Sequence, residues 1–384
     1  MEALRYQCLR EVRQQVQPFQ ILVGPNGSGK SVFLDVMAFL GDLVTRGLRE
    51  TVDARSESFY DLVWGRNGRS FCLALEAERP GRSDSSSELA EAVRYEVEVV
   101  IDEGDNEIFI SRERLSTTLG QGAHRQVIAR DRGKASFFPE SPVEKSFDFE
   151  LHPHFSSLAT MTTLAIAETS FPALLWLKTL LQDGVKKVAL DSELLRGPSP
   201  PGYGSKNLYK GLDFARLVGQ VRDSSTDAYE SWLRHVQTAM PDITGIRTIV
   251  RPEDKYRYLM IGYAGGLEVP QWIVSDGTLR LLALTFLAYL PAPQGPYLVE
   301  EPETGVHPTA IETIIQSLSS VYDGQVLITS HSPVVLGLPR PSELLCFQKS
   351  QDGATVIPGD EHPLLKEWRS GIDLSDLFAA GVLS

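Results

Sequence analysis

Between residues 69 and 151 apolar and polar positions alternate, as in "SFCLALEAE", "VRYEVEVVI", "NEIFISRERL" and "RQVIARD", with turn residues between the runs. A period of two puts one face of each run on a core and the other in water, which predicts an antiparallel sheet. Ahead of it, a short apolar strand pattern near residues 3 to 9 precedes "FQILVG" (19 to 24), a glycine-rich loop and an amphipathic helix from about Ser31 to Leu48. That order is strand, loop, helix. From about 155 to 242 the period becomes helical in "FPALLWLKTLL", "NLYKGLDFARLVGQV" and "DAYESWLRHVQTAM", broken by "RGPSPPGYGSK" at 196 to 206. Two strands follow, "IRTIVR" and "YRYLMIGYA", then a helix after Ser275 and the strand and helix units of a mostly parallel sheet.

The pattern predicts an α/β fold whose core is discontinuous in sequence. Residues 1–154 hold its N-terminal part with the antiparallel sheet, 155–242 a central helical insertion, and 243–384 its C-terminal part. No internal repeat is visible. The polar segment "RPGRSDSSSE" (79 to 88) offers nothing to bury and reads as a surface loop. In the last segment, "DLSDLFAAGVLS", Leu374, Leu377 and Phe378 fall at helical spacing, a face for the chain's own core or for a partner.

Composition narrows the class. With 384 residues and 42% apolar content, the chain can bury a substantial core. No apolar run reaches membrane-span length, and "MEALRYQCLREVRQQ" is charged where a secretory signal needs an apolar run, so a cytoplasmic protein without membrane contact is expected. Cys8, Cys72 and Cys346 are widely spaced and form no CxxC pair, which argues against a disulfide framework and a zinc site and leaves them as core thiols. The net charge of −13 repels nucleic acid, so DNA or RNA contact needs a local basic patch or a partner. Arg112, Arg114, Arg125, Arg130, Arg132 and Lys134 collect on predicted hairpins, as either a phosphate-backbone surface or a solvated face.

The loop after "FQILV" reads "GPNGSGKS": Gly24, Pro25, Asn26, Gly27, Ser28, Gly29, Lys30 and Ser31. It satisfies GxxxxGK[ST], directly after an apolar strand and directly before a helix, the context that separates a phosphate loop from a chance glycine turn. Its N–H groups and the helix N-terminus would cradle the β-phosphate of a nucleotide. Lys30 would neutralise the β- and γ-phosphates, and Ser31 would offer a hydroxyl to Mg²⁺.

A second apolar run ends in "YLVEEPETGVHP", residues 297 to 308. Neighbouring residues of a strand face opposite ways, so two adjacent acids share a target only if one lies beyond the strand. Pro302 ends the ladder, leaving Glu300 as the last strand residue and Glu301 in the turn. Beside a phosphate loop, Glu300 would hold a Mg²⁺-bound water and Glu301 would orient the attacking water. In isolation the pair would read as solvated strand-end acids.

Together "GPNGSGKS", "SDGTLRLLALTFLAYL", "YLVEEPETGVHP" and "VLITSHSP" resemble, in order and spacing, the ATP-binding-cassette ATPases. The similarity is to the branch holding RecF, the SMC proteins and the OLD-family domains, found among prokaryotic repair and anti-phage ATPases. The resemblance implies that Glu301 is the catalytic glutamate, and that Glu300 stands where the family usually has aspartate. "VSDGT" (274 to 278) resembles the signature loop, so Ser275 and Gly277 would meet ATP held by a second subunit in a head-to-tail dimer. Read from the residues, Ser275 is equally a helix N-cap. His331, one residue past an apolar strand, matches the switch histidine that senses the γ-phosphate. Arg10 in "CLRE" stands where repair ATPases put a basic nucleotide contact, or is a solvated arginine. No glutamine marks a glutamine loop; "SSLATMTTLA" offers only hydroxyls there, with Thr162 and Thr163 as stand-ins or, equally, as core residues.

The function implied is a Mg²⁺-dependent ATPase switch acting on a DNA-directed process or an effector chain. OLD proteins add a nuclease with clustered acids, which the residues after His331 lack, so any nuclease is expected on another chain. The alternatives are the nucleotide-binding subunit of a transporter, disfavoured by "VSDGTLR", and a non-hydrolysing scaffold, disfavoured by Glu301.

Overall fold

The computed structural model describes residues 1–79, 92–102, 104–118, 123–141, 143–161, 170–202, 210–291, 295–322 and 324–366. Strands β1 (Glu2–Tyr6), β2 (Leu9–Arg13) and β3 (Phe19–Val23) precede helix α1 (Lys30–Arg46). Next come β4 (Ser70–Glu78), β5 (Ala92–Ile101), β6 (Ile108–Thr118), β7 (His124–Asp131), β8 (Lys134–Phe137), β9 (Phe147–Glu150) and α2 (Pro172–Thr179). Then follow β10 (Lys186–Val188), α3 (Ser192–Arg196), α4 (Phe214–Ser224), α5 (Thr226–Ala239), β11 (Ile243–Val250), β12 (Arg257–Tyr263), β13 (Glu268–Pro270) and α6 (Asp276–Phe286). The chain continues with β14 (Pro296–Glu300), α7 (Pro308–Ser319), β15 (Gln325–Thr329), β16 (Leu344–Ser350) and β17 (Gly353–Pro358). Two compact units interleave along it: Met1–Val16, Asn26–Val185 and Phe347–Val356 form one, and Gln17–Pro25, Lys186–Cys346 and the residues from Ile357 the other.

The first unit is built on an antiparallel sheet in the order β2-β1-β4-β5-β6-β7-β8-β9. Its strands alternate as the sequence predicts: Val93, Tyr95, Val97 and Val99 of β5 are fully buried, while Arg94, Glu96 and Glu98 between them are partly exposed. The pattern at 3 to 9 belongs to a hairpin, β1 and β2, rather than to one strand. Helix α1 buries Phe33, Leu34, Val36, Met37, Phe39, Leu40, Leu43 and Val44 along one side. Tyr6, Phe39 and Phe71 pack ring against ring within 5.8 Å. Each such ring contributes about 2 kcal/mol by burial.

The hairpin arginines do not form one basic face. Arg130 is buried at 2% exposure and meets the equally buried Glu113 at 3.4 Å. Tyr95 and the backbone and hydroxyl of Ser157 also donate to Glu113, and Arg130 donates to the carbonyls of Arg132, His152 and Phe155. A buried charge pair persists when every polar atom around it is hydrogen-bonded, and this network ties residues 152–157 to the sheet. On the outer face Arg112 and Arg114 lie opposite Glu98 and Glu96, and Lys134 pairs with Asp148 at 2.9 Å, so these three charges have acidic neighbours.

The second unit is built on a parallel sheet in the order β10-β14-β15-β3-β16. β3, β14 and β15 read as continuous apolar runs because both faces are covered. Leu281 and Leu284 of α6 and Ile311, Ile314 and Leu318 of α7 join that core. Helices α4 and α5 pack with α6 and the sheet β11-β12-β13 around Phe214, Trp232 and Phe286. Within the stretch of helical periodicity, β10 adds an edge strand beside β14.

Candidate functional site

The phosphate-loop segment leaves β3 at Val23 and enters α1 at Lys30. Gly24, Gly27 and Gly29 all have positive φ, at 144°, 74° and 102°. At Gly29 the left-handed backbone favours glycine, and a Cβ would press at 3.1 Å on Cys8 Sγ, Leu9 Cδ2 and Ala354 Cβ. With glycine as its N-cap, α1 carries no side-chain cap, so the first turn offers its N–H groups to a ligand. Ser28 is 1% exposed and its Oγ has no hydrogen-bond partner among the described residues. An uncapped helix start and an orphaned buried hydroxyl on one loop fit a phosphate group. Lys30 is buried at 8% exposure, and Ser31 is exposed. Cys8 lies beside this turn, and burial pushes its thiol up, which keeps it protonated.

In the parallel sheet, Glu300 is in register with Thr329, and Thr329 with Leu22. The C-terminal ends of β14, β15 and β3 therefore align, the edge at which open parallel sheets place ligands. Glu300 ends β14, and its carboxylate takes a 2.8 Å ion pair from Lys187 of β10. Glu301 lies beyond the strand, as the sequence predicts, but with a left-handed φ of 45° rather than the extended backbone that a following proline favours. Two hydrogen bonds hold it there: its N–H donates to the Thr329 carbonyl at 2.9 Å, and its carbonyl accepts from Thr304 N–H at 3.0 Å. Its Oε1 lies 3.2 Å from Nδ1 of His331, which follows β15, and both side chains are about half exposed. The neighbouring turn residues also meet: Ser330 Oγ donates to Glu303 Oε1 at 2.6 Å.

Ser275 is the N-cap of α6: its Oγ accepts from Thr278 N–H at 3.2 Å. Asp276, in the first turn, is held by Arg196 at the end of α3 through Nε at 2.8 Å and Nη2 at 2.7 Å, while Arg196 Nη1 donates to the Trp272 carbonyl. The acid in the signature-like loop is thus neutralised within the chain. A Cβ at Gly277 would lie 2.7 Å from the Gly305 carbonyl, so this glycine lets α6 approach the turn that follows the glutamates. His307 caps α7 by accepting from Thr309 N–H through Nδ1. Arg10 pairs with Asp352 at 2.7 Å and lies over the Trp64 ring at 5.2 Å. Thr162, Thr163 and the helical positions Leu374, Leu377 and Phe378 lie outside the described residues, as does most of the polar segment from 79 to 88.

Residues 19–337 match the profile of the AAA_21 family, described as "AAA domain, putative AbiEii toxin, Type IV TA system". The chain belongs to this AAA family. Membership makes it a nucleotide-binding P-loop ATPase by family and agrees with the resemblance drawn from the four motifs. Among solved structures the chain is similar to an SMC head bound to the C-winged helix domain of ScpA, at 13% identity and a TM-score of 0.55, over 93% of this chain and 95% of that one. It is also similar to an SMC head with an extended coiled coil bound to the C-terminal domain of ScpA from Pyrococcus furiosus, at 12% identity and a TM-score of 0.50, over 93% and 94%. At that identity these likenesses establish the fold. No curated protein sequence matches the chain. Among the described residues, no helix is long and apolar enough to cross a membrane.

For this AAA-family chain the structure adds Lys187, Arg196, Glu303 and Ser330 to the residues the sequence singles out. Glu303 and Ser330 sit inside motifs already recognised, "EEPETG" and "TSHS", and an extra acid two residues past Glu301 was the available signal. Nothing in the sequence marks Arg196, whose partner Asp276 is 80 residues away.

Proposed function

We propose that this chain is a Mg²⁺-dependent ATPase that works as a switch in a head-to-tail pair of copies. The observation that carries the reading is the meeting of Glu301 and His331, 3.2 Å apart, at the ends of neighbouring strands β14 and β15. Gly24 to Ser31 bind the ATP phosphates through loop N–H groups and the Lys30 ammonium. Ser31 would offer its hydroxyl to Mg²⁺ and Glu300 would hold a Mg²⁺-bound water, oxygen donors of the kind this ion takes. When bound, the metal neutralises phosphate charge. Glu301 accepts a hydrogen bond from the attacking water and orients it. His331 contacts the γ-phosphate, and because it also meets Glu301, loss of that phosphate alters the glutamate's surroundings.

Ser275 and the first turn of α6 meet the ATP of the second copy, with Gly277 as the packing glycine that positions this turn, and Arg10 is a contact beside the nucleotide. ATP binding closes the pair and hydrolysis opens it. The cycle acts in the cytoplasm on a DNA-directed process or on an effector held on a separate chain, with DNA or RNA as a further contact, in anti-phage defence or DNA repair. The type IV toxin–antitoxin system named in the family description supports a defence role over a housekeeping one.

The test compares wild type, Lys30→Ala and Glu301→Gln for nucleotide affinity, turnover with and without Mg²⁺, and mass by light scattering. Lys30→Ala is expected to lose binding. Glu301→Gln is expected to bind ATP, turn over at least about 100-fold more slowly and accumulate as the pair. Wild-type turnover in Glu301→Gln removes Glu301 from the mechanism, and a monomer in every state removes the switch.

A further inference from the structure

We propose that Glu303 is a positioning residue for His331, acting through Ser330; the proposal rests on the reading of His331 as a residue of the ATPase site. Glu303 Oε1 accepts from Ser330 Oγ at 2.6 Å, the short distance of a hydroxyl bonded to a charged carboxylate. The same hydroxyl oxygen accepts from Ser332 N–H at 3.0 Å, and Ser330 N–H donates to the Leu22 carbonyl at 3.2 Å. Ser330 is fully buried. Both chain neighbours of His331 are therefore fixed, one through its backbone and hydroxyl and the other through its N–H, and Glu303 is the side chain that completes the arrangement.

The acid is too committed to be a solubilising surface charge. Glu303 Oε2 is buried and has no partner among the described residues, so the side-chain bond the carboxylate makes there is the one from Ser330. Glu301 and Glu303 belong to one turn, closed by Thr304 N–H donating to the Glu301 carbonyl and Val306 N–H to the Glu303 carbonyl. From that turn they reach two successive residues, Glu303 to Ser330 and Glu301 to His331. Two side chains thus join the turn after β14 to the turn after β15, and a displacement of one turn carries the other. Glu301 makes the reactive contact; Glu303 sets its register.

The experiment measures steady-state ATPase activity, nucleotide affinity by a fluorescent ATP analogue and melting temperature for Glu303→Ala, Glu303→Gln, Ser330→Ala, His331→Ala and the double variant Glu303→Ala/His331→Ala. Expected are a kcat about 10- to 100-fold lower in Glu303→Ala and Ser330→Ala, with KM and nucleotide affinity within about twofold of wild type. Glu303→Gln, which keeps an acceptor oxygen for the Ser330 hydroxyl, should retain kcat within about threefold. In the His331→Ala background, Glu303→Ala should cost little further, because both act through one contact. The proposal is overturned if Glu303→Ala turns over like wild type, if its loss multiplies fully with that of His331→Ala, or if nucleotide affinity falls together with kcat. If Glu303→Ala does not fold, Glu303→Gln and Ser330→Ala decide the question by the same comparison. Wild-type turnover in His331→Ala would instead overturn the underlying reading of His331.

Discussion

Glu301 and His331 meet across the ends of two parallel strands, Oε1 to Nδ1 at 3.2 Å, and the glutamate makes that contact from a left-handed backbone. The two facts are linked. A residue continuing β14 in extended geometry would turn its side chain to the face opposite Glu300. With φ at 45°, Glu301 leaves the strand while its N–H still bonds to the Thr329 carbonyl. The turn therefore fixes where the carboxylate points before any nucleotide arrives.

That backbone has a measurable cost. An L-residue in the left-handed region is disfavoured by about 1–2 kcal/mol, and glycine is not. Glu301→Gly should therefore raise unfolding stability by about 1 kcal/mol while abolishing turnover. Urea unfolding and an ATPase assay on the same preparation check both halves, and a stability below wild type would remove the claim of strain.

The phosphate loop and the glutamate pair were legible because each is a local rule: glycine where φ is positive, proline where a strand must stop. Glu301's left-handed turn was not, since the rule for a residue before proline points to extended backbone and tertiary hydrogen bonds overrode it. The period-two runs revealed the antiparallel sheet, but alternation does not say which charges another segment covers. Arg130 read as hairpin surface and is buried with Glu113 under residues 152–157. Strand β10 is three residues long, too short to carry a period, and so Lys187 beside Glu300 was invisible.

Lys187 also accounts for glutamate at a position where the resemblance expects aspartate. The longer side chain reaches the ammonium on the next strand at 2.8 Å. An ammonium and Mg²⁺ cannot both claim one carboxylate at full strength, so removing the amine should favour the metal. Lys187→Met should lower the Mg²⁺ concentration for half-maximal nucleotide binding by about threefold, the modest effect of a partly exposed pair. Titration of Mg²⁺ at fixed nucleotide measures it; an unchanged or raised midpoint would separate Lys187 from the metal.

Gly277 joins α6 to the turn after the glutamates by close backbone approach. A methyl group there would sit 2.7 Å from the Gly305 carbonyl, and backbone yields less readily than a side chain. Gly277→Ala should destabilise the protein by about 1–3 kcal/mol, the usual cost of overpacking. Denaturant unfolding gives the value. A cost below about 0.5 kcal/mol would mean that the turn moves freely, and Gly277 would then serve ligand access rather than packing.

Asp276 sits in the first turn of α6, where an anionic ligand would meet the helix N-terminus, and Arg196 holds it with two contacts under 3 Å. A carboxylate there favours the helix dipole but repels a phosphate, and the guanidinium cancels the repulsion without removing the acid. Arg196→Ala would leave Asp276 uncompensated. In the Glu301→Gln background, ATP-dependent pairing should then weaken by about tenfold, the size of 1–2 kcal/mol of exposed-charge repulsion. Adding Asp276→Gly, which deletes the charge, should restore most of the loss, whereas each copy's own nucleotide affinity should stay level throughout. Sedimentation velocity over a concentration series reads the pairing. Failure of Asp276→Gly to rescue would show that Arg196 acts by holding the Trp272 carbonyl, a structural role, and not by neutralising the acid.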